Sequence, residues 1–199
     1  MDSPIGAIIL AAGGSKRFGS PKQLLEWQGE TLINKVIKLA IKSCLDPIIV
    51  VLGSEYDFIK NNIIEKERVT IVKNDNWEVG QSTSLIVGVR GIEKKNTPFA
   101  VLLCDQPQVT FKNIKGLVDI YRENDADIVI TEIEGKLAPP VIFSPICISG
   151  INVLKGDRGA RSIIEGYRYK TYKETDTRLL MDIDTPEDFI RLKKAYNCA

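Results

Sequence analysis

The chain is 199 residues long, 44% hydrophobic and 27% charged, with a formal net charge of +1. Such values fit a globular protein with a real core and argue against general affinity for nucleic acid or a membrane surface. Histidine is absent and no stretch nears the roughly 18 apolar residues of a membrane span, which excludes Ser-His-Asp and Cys-His catalysis, an ordinary zinc site and a transmembrane helix.

In chain order, the opening MDSPIGAIILAAGG lacks the basic start of a secretion signal, so a cytoplasmic location is expected. Residues 5–11 read as an apolar strand. Residues 31–44 place apolar side chains at 32, 33, 36, 37, 40 and 41, one face of a helix. A strand at 48–52, a helical stretch at 56–64, a short strand at 69–72, a helix at 82–92 and a strand at 99–104 follow. Thr110 is placed to cap a helix over 110–123, and 128–131 closes the series as a strand. Strands alternating with helices predict β-α-β units and a parallel sheet. The runs IIVV and VLL are apolar on both faces, as in strands covered by helices from both sides. Beyond 131 the pattern loosens. EGKLAPPVIF reads as a turn, a proline pair and an edge strand, and 163–172 and 178–183 read as further strands. Thr185-Pro186-Glu187-Asp188 then starts a last helix reaching toward Tyr196. The cysteines, at 44, 104, 147 and 198, form no C-x-x-C pair and are expected as buried, reduced thiols.

Chemistry concentrates where strands end. After the first strand, ILAAGGSKRFGSPKQLL gathers Gly13, Gly14, Lys16, Arg17 and Lys22. Neither the P-loop nor the G-x-G-x-x-G template is met, since Ser20 stands at the P-loop lysine position and Gly13 and Gly14 are adjacent. The physical logic remains that of an anion site: glycines let backbone N–H groups approach a phosphate, Arg17 offers a fork of donors and Lys22 a point charge. A plain strand-to-helix turn with solvated bases is the competing reading. Asp105 follows the strand FAVLLC directly, and Pro107 stiffens that exit. Its carboxylate suits Mg²⁺, though a turn aspartate is the commoner fate. Asp182 and Asp184 end the run LLMDID; at a spacing of two, both would face one side of a strand. One is expected to support the Thr185 helix start, leaving the other to complete a metal site with Asp105.

Taken together these segments resemble the MobA-like nucleotidyltransferases, and within them the molybdenum cofactor cytidylyltransferases. The family's L-A-A-G-x-S-x-R-M-G-x-x-K reads here as Leu10 to Lys22, with Phe18 in place of methionine. NDNWEVGQSTSL supplies Asn74, Trp77, Gly80, Ser84 and Leu85; C-D-Q-P stands intact at 104–107, G-D-x-G-A-R at 156–161 and D-I-D-T-P-E-D at 182–188. A histidine common in the family before the proline-valine strand is replaced in LAPPVIF.

The resemblance implies a three-layer α-β-α fold with a mostly parallel, Rossmann-like sheet of the nucleotide-diphospho-sugar transferase type. It implies one domain over 1–199, with a nucleotide-binding half over roughly 1–110 and an acceptor half over roughly 111–199. It implies transfer of CMP from CTP to the phosphate of molybdopterin, with release of pyrophosphate. Catalytic roles fall to Arg17, Lys22 and Asp105, and nucleotide contacts to Leu10, Ala11, Ala12, Gly13, Gly14, Ser15, Lys22 and Ser84. Acceptor contacts fall to Asn74, Gly80, Asp157 and Arg161, and Mg²⁺ to Asp105, Asp182 and Asp184. Trp77 is expected to be chiefly structural. CTP and the molybdenum cofactor are the implied partners, with transient contact to a molybdenum hydroxylase, and neither nucleic acid nor membrane. Two other readings stay open: a related nucleotidyltransferase with another triphosphate or a sugar-phosphate acceptor, and a non-catalytic maturation or carrier factor. Ala12 and Gln106 argue against GTP, because the guanylyl branch commonly has a second glycine and a different acidic block there.

Overall fold

The computed structural model describes residues 3–92 and 96–197. The elements run β1 (Gly6–Ala11), β2 (Glu26–Trp27), β3 (Glu30–Thr31), α1 (Leu32–Lys42), β4 (Ile48–Leu52), α2 (Tyr56–Asn61) and β5 (Thr70–Lys73). They continue with α3 (Gln81–Ile92), β6 (Phe99–Leu103), α4 (Phe111–Glu123), β7 (Ile128–Ile133), β8 (Lys136–Phe143), α5 (Ile148–Asn152), β9 (Tyr169–Glu174) and α6 (Pro186–Asn197). β2 and β3 pair as a small separate hairpin that the hydrophobic pattern did not signal.

The main sheet has seven strands in the order β5-β4-β1-β6-β8-β7-β9. β1 pairs in parallel with β4 on one side and β6 on the other, with Ile9 beside Val50 and Leu102. Alternate side chains feed two core layers. Ala7, Ile9, Val50 and Leu102 pack with Ile33 and Ile37 of α1 and Leu117 of α4, while Ile8, Val51 and Val101 pack with Leu85 and Val89 of α3. This is the three-layer architecture the apolar runs predict. α3 lies close on β1 because Gly88 has no side chain; a Cβ there would stand 2.4 Å from Ile8 Cγ2. The chain runs from β1 to β4 and β5 on one flank, then returns to β6 on the other. The carboxyl ends of β1 and β6 thus flank the switch point where open α/β sheets bind ligands.

Thr110 caps α4 as expected, in a reciprocal box with Asn113. The expectations after residue 131 need correction. β8 is interior, antiparallel to both β6 and β7. It tolerates prolines because the β7–β8 register shifts at Ile130/Thr131 and β6 pairs only with Val141–Phe143. Pro139 and Pro140 therefore sit at a bulge where no ladder N–H is needed. Residues 160–166 form a 3-10 helix, so the strand expected at 163–172 is displaced to β9. No strand forms at 178–183; Thr177–Leu180 is a 3-10 turn, and beyond it Ile183 N donates to the Asp105 carbonyl at 3.3 Å without forming a ladder. There Gln108 Nε2 donates to the Arg178 and Met181 carbonyls at 3.2 and 2.8 Å, bonds a sheet neighbour would otherwise make.

Cys104 and Cys147 are buried free thiols, and burial pushes Cys147 up to about 12. Cys44 is exposed, contrary to expectation, because it sits just past α1 with positive φ; Cys198 lies outside the described residues. Among the described residues no helix is long and apolar enough to cross a membrane.

Candidate active site

At the end of β1 the chain stops pairing as a strand. Ser54 N donates to the Ala12 carbonyl at 3.1 Å, and Ser15 takes up positive φ so that its carbonyl accepts from Phe18 N and Gly19 N. The backbone N–H groups from Gly13 to Arg17 find no acceptor among the described residues. Gly14 is required here: the Trp77 ring lies so close that a Cβ would come within 2.5 Å of Cη2. Trp77 thus packs as expected and also lines the crevice, with Lys16 Nζ 5.7 Å from its ring centroid.

Lys22 joins this turn to the β6 exit. Its backbone N–H donates to Ser15 Oγ at 3.0 Å, and its ammonium donates to Asp105 Oδ2 at 2.5 Å and to the Ile183 carbonyl at 3.0 Å. Asp184 Oδ1 stands 3.4 Å away. Burial opposes the charge on Lys22, but Asp105 and Asp184 outweigh it and hold the ammonium above its usual range. Residues 83 positions apart in sequence therefore share one ion pair at neighbouring strand ends.

Asp182 and Asp184 do not share a strand face, because no strand forms. Arg17 reaches Asp184 Oδ2 at 3.0 Å, so Asp184 serves two cations. Asp182 instead accepts from Gln106 Nε2 at 2.8 Å. Although Asp182 is an exposed residue, its carboxyl stands above the usual range, first through partial desolvation at the crevice wall and then through the Asp105 charge. Neither carboxylate caps the last helix. Thr185 does, as expected: its Oγ1 accepts from Asp188 N at 3.2 Å, and Asp188 Oδ2 accepts in return from Thr185 N at 2.9 Å.

These groups open into a crevice of about 310 Å³ lined by Leu10, Ala11, Ala12, Gly13, Gly14 and Lys22, faced by Trp77, Gly80, Ser84, Asp105 and Asp157. Ser15 lines an adjoining recess below the turn. A further recess of about 170 Å³ lies over Leu10, Val101, Pro139 and Val141, with Asp157 and Asp182 at its edge. Asn74 is not in the wall. It is buried behind it, its side-chain amide donating to Thr83 Oγ1 and Ser84 Oγ at 2.9 Å each, and so acts as a bracket for the α3 start. The side chain of Arg161 lies outside the described residues.

Two contacts of the site are not signalled by the motifs. Gln23 Nε2 donates to the Ala11 and Gly13 carbonyls at 2.8 and 2.9 Å, and Gln106 orients Asp182. Gln106 belongs to the C-D-Q-P block, which does not reveal its contact with Asp182, and Gln23 is marked only by its place beside Lys22.

The arrangement sets the Lys22 ammonium, paired with Asp105 and Asp184, beside a turn whose N–H groups have no acceptor among the described residues, with no histidine in the chain. It suits binding and charge stabilisation of a polyphosphate without a covalent intermediate. Over 200 residues, covering 96% of each chain, the protein is 30% identical to the purine catabolism protein PucB of Bacillus subtilis (strain 168). It is 28% identical to the molybdenum cofactor cytidylyltransferase of Escherichia coli (strain K12), covering 98% of each. Rv0371c of Mycobacterium tuberculosis H37Rv shares the fold, with a TM-score of 0.84 at 24% identity, covering 96% of this chain and 99% of that one. A manganese complex of Rv0371c superposes with a TM-score of 0.80 at 22% identity, covering 97% and 100%. The MobA-like NTP transferase domain matches residues 7–174, and the chain belongs to that family of nucleotidyltransferases, enzymes of the EC 2.7.7 kind.

Proposed function

We propose that this nucleotidyltransferase moves CMP from CTP to the phosphate of molybdopterin or its molybdenum-loaded form and releases pyrophosphate. The observation that carries the reading is the Lys22–Asp105 pair at 2.5 Å beside a turn whose N–H groups from Gly13 to Arg17 have no acceptor among the described residues. The N–H groups of Gly13, Gly14 and Ser15 cradle the triphosphate. Arg17 and Lys22 stabilise charge on the α-phosphate and the departing pyrophosphate. The acceptor phosphate is already a nucleophile, so alignment with the α-phosphorus is the main requirement and no general base is needed.

A divalent cation fits the acidic wall. Asp105 and Asp182 are hard oxygen donors close enough that the charge of one raises the pKa of the other. Among the described residues no three acidic or thiol groups converge as a metal cage, so the two carboxylates with substrate phosphates form the natural ligand set. Asp105 and Asp182 would hold Mg²⁺, which when bound supplies neutralising charge to the phosphates. Asp184, paired with Arg17 and Lys22, holds cations in place.

Ala12 and the C-D-Q-P block favour CTP over GTP, as does the full-length likeness to a cytidylyltransferase. Probable guanylyltransferases such as that of Bacillus cereus (strain Q1) match 66% of the chain. The likeness to PucB, a purine catabolism protein and not one named as a cytidylyltransferase, keeps a second reading, a non-catalytic maturation or carrier factor for a molybdenum hydroxylase.

The test is incubation with each of the four nucleoside triphosphates, Mg²⁺ and molybdopterin cofactor, followed by pyrophosphate measurement and mass spectrometry. A cytosine dinucleotide formed with CTP is the expected product. Release with GTP alone, or only with a sugar phosphate as acceptor, would replace this reading with the related-transferase one. No turnover together with co-purification of a hydroxylase would favour the carrier.

A further inference from the structure

We infer that Gln23 is a positioning residue that sets the backbone of the phosphate-binding turn. The inference rests on the nucleotidyl-transfer reading, since it concerns how that turn meets a phosphate chain.

Gln23 lies in the short 3-10 turn Lys22–Leu24 and is 1% exposed. Both of its polar contacts, the carbonyls of Ala11 and Gly13, are acceptors, so the amide NH₂ must face them. The Gln23 Oε1 is buried with no partner among the described residues. Both donors are thus spent on alternate carbonyls of the chain leaving β1, while the Ala12 carbonyl between them is held by Ser54 N. In a planar trans peptide the N–H points opposite to the C=O. Holding the Ala11 and Gly13 carbonyls on the Gln23 side turns the N–H groups of Ala12 and Gly14 to the other side. The Gly14 N–H has no acceptor among the described residues.

The glycines give this brace its importance. A backbone built on Gly13 and Gly14 has little intrinsic preference for one peptide orientation. The glycines admit a phosphate closely but cannot hold their own N–H groups in line, and the neighbouring amide supplies that constraint. The turn Lys22–Leu24 therefore carries both the cation at the Asp105 pair and the clamp on the cradle.

Inorganic tripolyphosphate is the probe, because it has no base and reports on the cradle alone. Titration calorimetry with magnesium chloride compares wild type, Gln23→Leu, Gln23→Met and Gln23→Glu. Leu and Met remove the donors at similar bulk; Glu keeps the shape and turns an oxygen on two carbonyls. Leu and Met should weaken tripolyphosphate binding about tenfold, the scale of one net hydrogen bond to a charged group, and Glu should weaken it further. The KM for the nucleoside triphosphate should rise in step while the acceptor KM stays put, a split that mere loss of folded protein does not produce. Wild-type tripolyphosphate affinity in a folded Leu or Met variant, or an equal rise in both KM values, overturns the inference. If Gln23→Leu does not fold, the more flexible Met variant carries the test. The tripolyphosphate comparison judges the clamp whether or not the transfer reaction is found.

Discussion

A cation held between two carboxylates occurs at both ends of this molecule, and only one instance is built for chemistry. In the crevice, Lys22 lies 2.5 Å from Asp105 and 3.4 Å from Asp184, with its side chain 16% exposed. At the far edge of the sheet, Arg168 lies 2.6 Å from Asp125 and 3.0 Å from Asp127, with its side chain 62% exposed. The Arg168 carbonyl also accepts from Asp127 N at 2.8 Å and Arg168 N donates to Asp127 Oδ2 at 3.1 Å, so the cluster fastens the start of β9 to the start of β7. The charges are alike and the surroundings differ. Water screens the outer cluster, while the inner one is sheltered and stands beside N–H groups that need an anion. Ion pairing by itself therefore says little; enclosure next to unpaired donors is what marks a site.

The largest effect expected is at Lys22. Lys22→Ala should lower kcat/KM for pyrophosphate release by about 10²–10³ or more, because it removes a charge aimed at the reacting phosphates and strands Asp105. A folded variant within tenfold of wild type would erase the contrast between the two clusters.

A smaller effect is expected at Asp184. Asp184→Asn takes one partner each from Arg17 and Lys22 but leaves Asp105, so kcat should fall about tenfold or less. The Mg²⁺ concentration for half-maximal activity should not move, whereas Asp182→Asn should raise it. A metal requirement that shifts in Asp184→Asn would instead make Asp184 a ligand.

The smallest effect belongs to the outer cluster. Arg168, through its guanidinium and its backbone N–H, holds the Asp127 carboxyl below its usual value against the cost of partial burial. A depressed folded value contributes stability above the unfolded pKa, and that contribution is lost as pH falls through the folded pKa. Asp127→Asn should therefore lower the melting midpoint by at most about 3 °C near neutrality, and the gap should close below about pH 4. Activity at neutral pH should be unchanged. A large loss of activity would mean that the sheet edge is coupled to the crevice.

Much of the nucleotide end is legible in the sequence. Apolar runs covered on both faces identify β1, β4 and β6 as central strands, and a polar residue directly after such a strand must emerge at its carboxyl end. That reasoning places the glycine turn and Asp105 at one edge. The other half was harder to read. Prolines in β8 suggest an edge strand by local rules, but a bulge in the neighbouring pairing makes them harmless in the interior. The 178–183 segment has strand-like composition yet pairs with side chains, so the spacing of Asp182 and Asp184 carried no information about which way they face. Asn74, an acceptor contact by resemblance, is buried and brackets Ser84 through its side-chain amide.

Sequence alone determined the layered α/β plan, the absence of histidine chemistry and the identity of the charged groups, because periodicity, composition and residue type are local properties. The tertiary structure decided which carboxylate meets which cation. It brought Lys22, Asp105 and Asp184 within one ion cluster, gave Asp182 to Gln106, and set Gln23 under the glycine turn. Those choices depend on distances between elements far apart in the chain, which are fixed only when the sheet order and the packing of its connections are fixed.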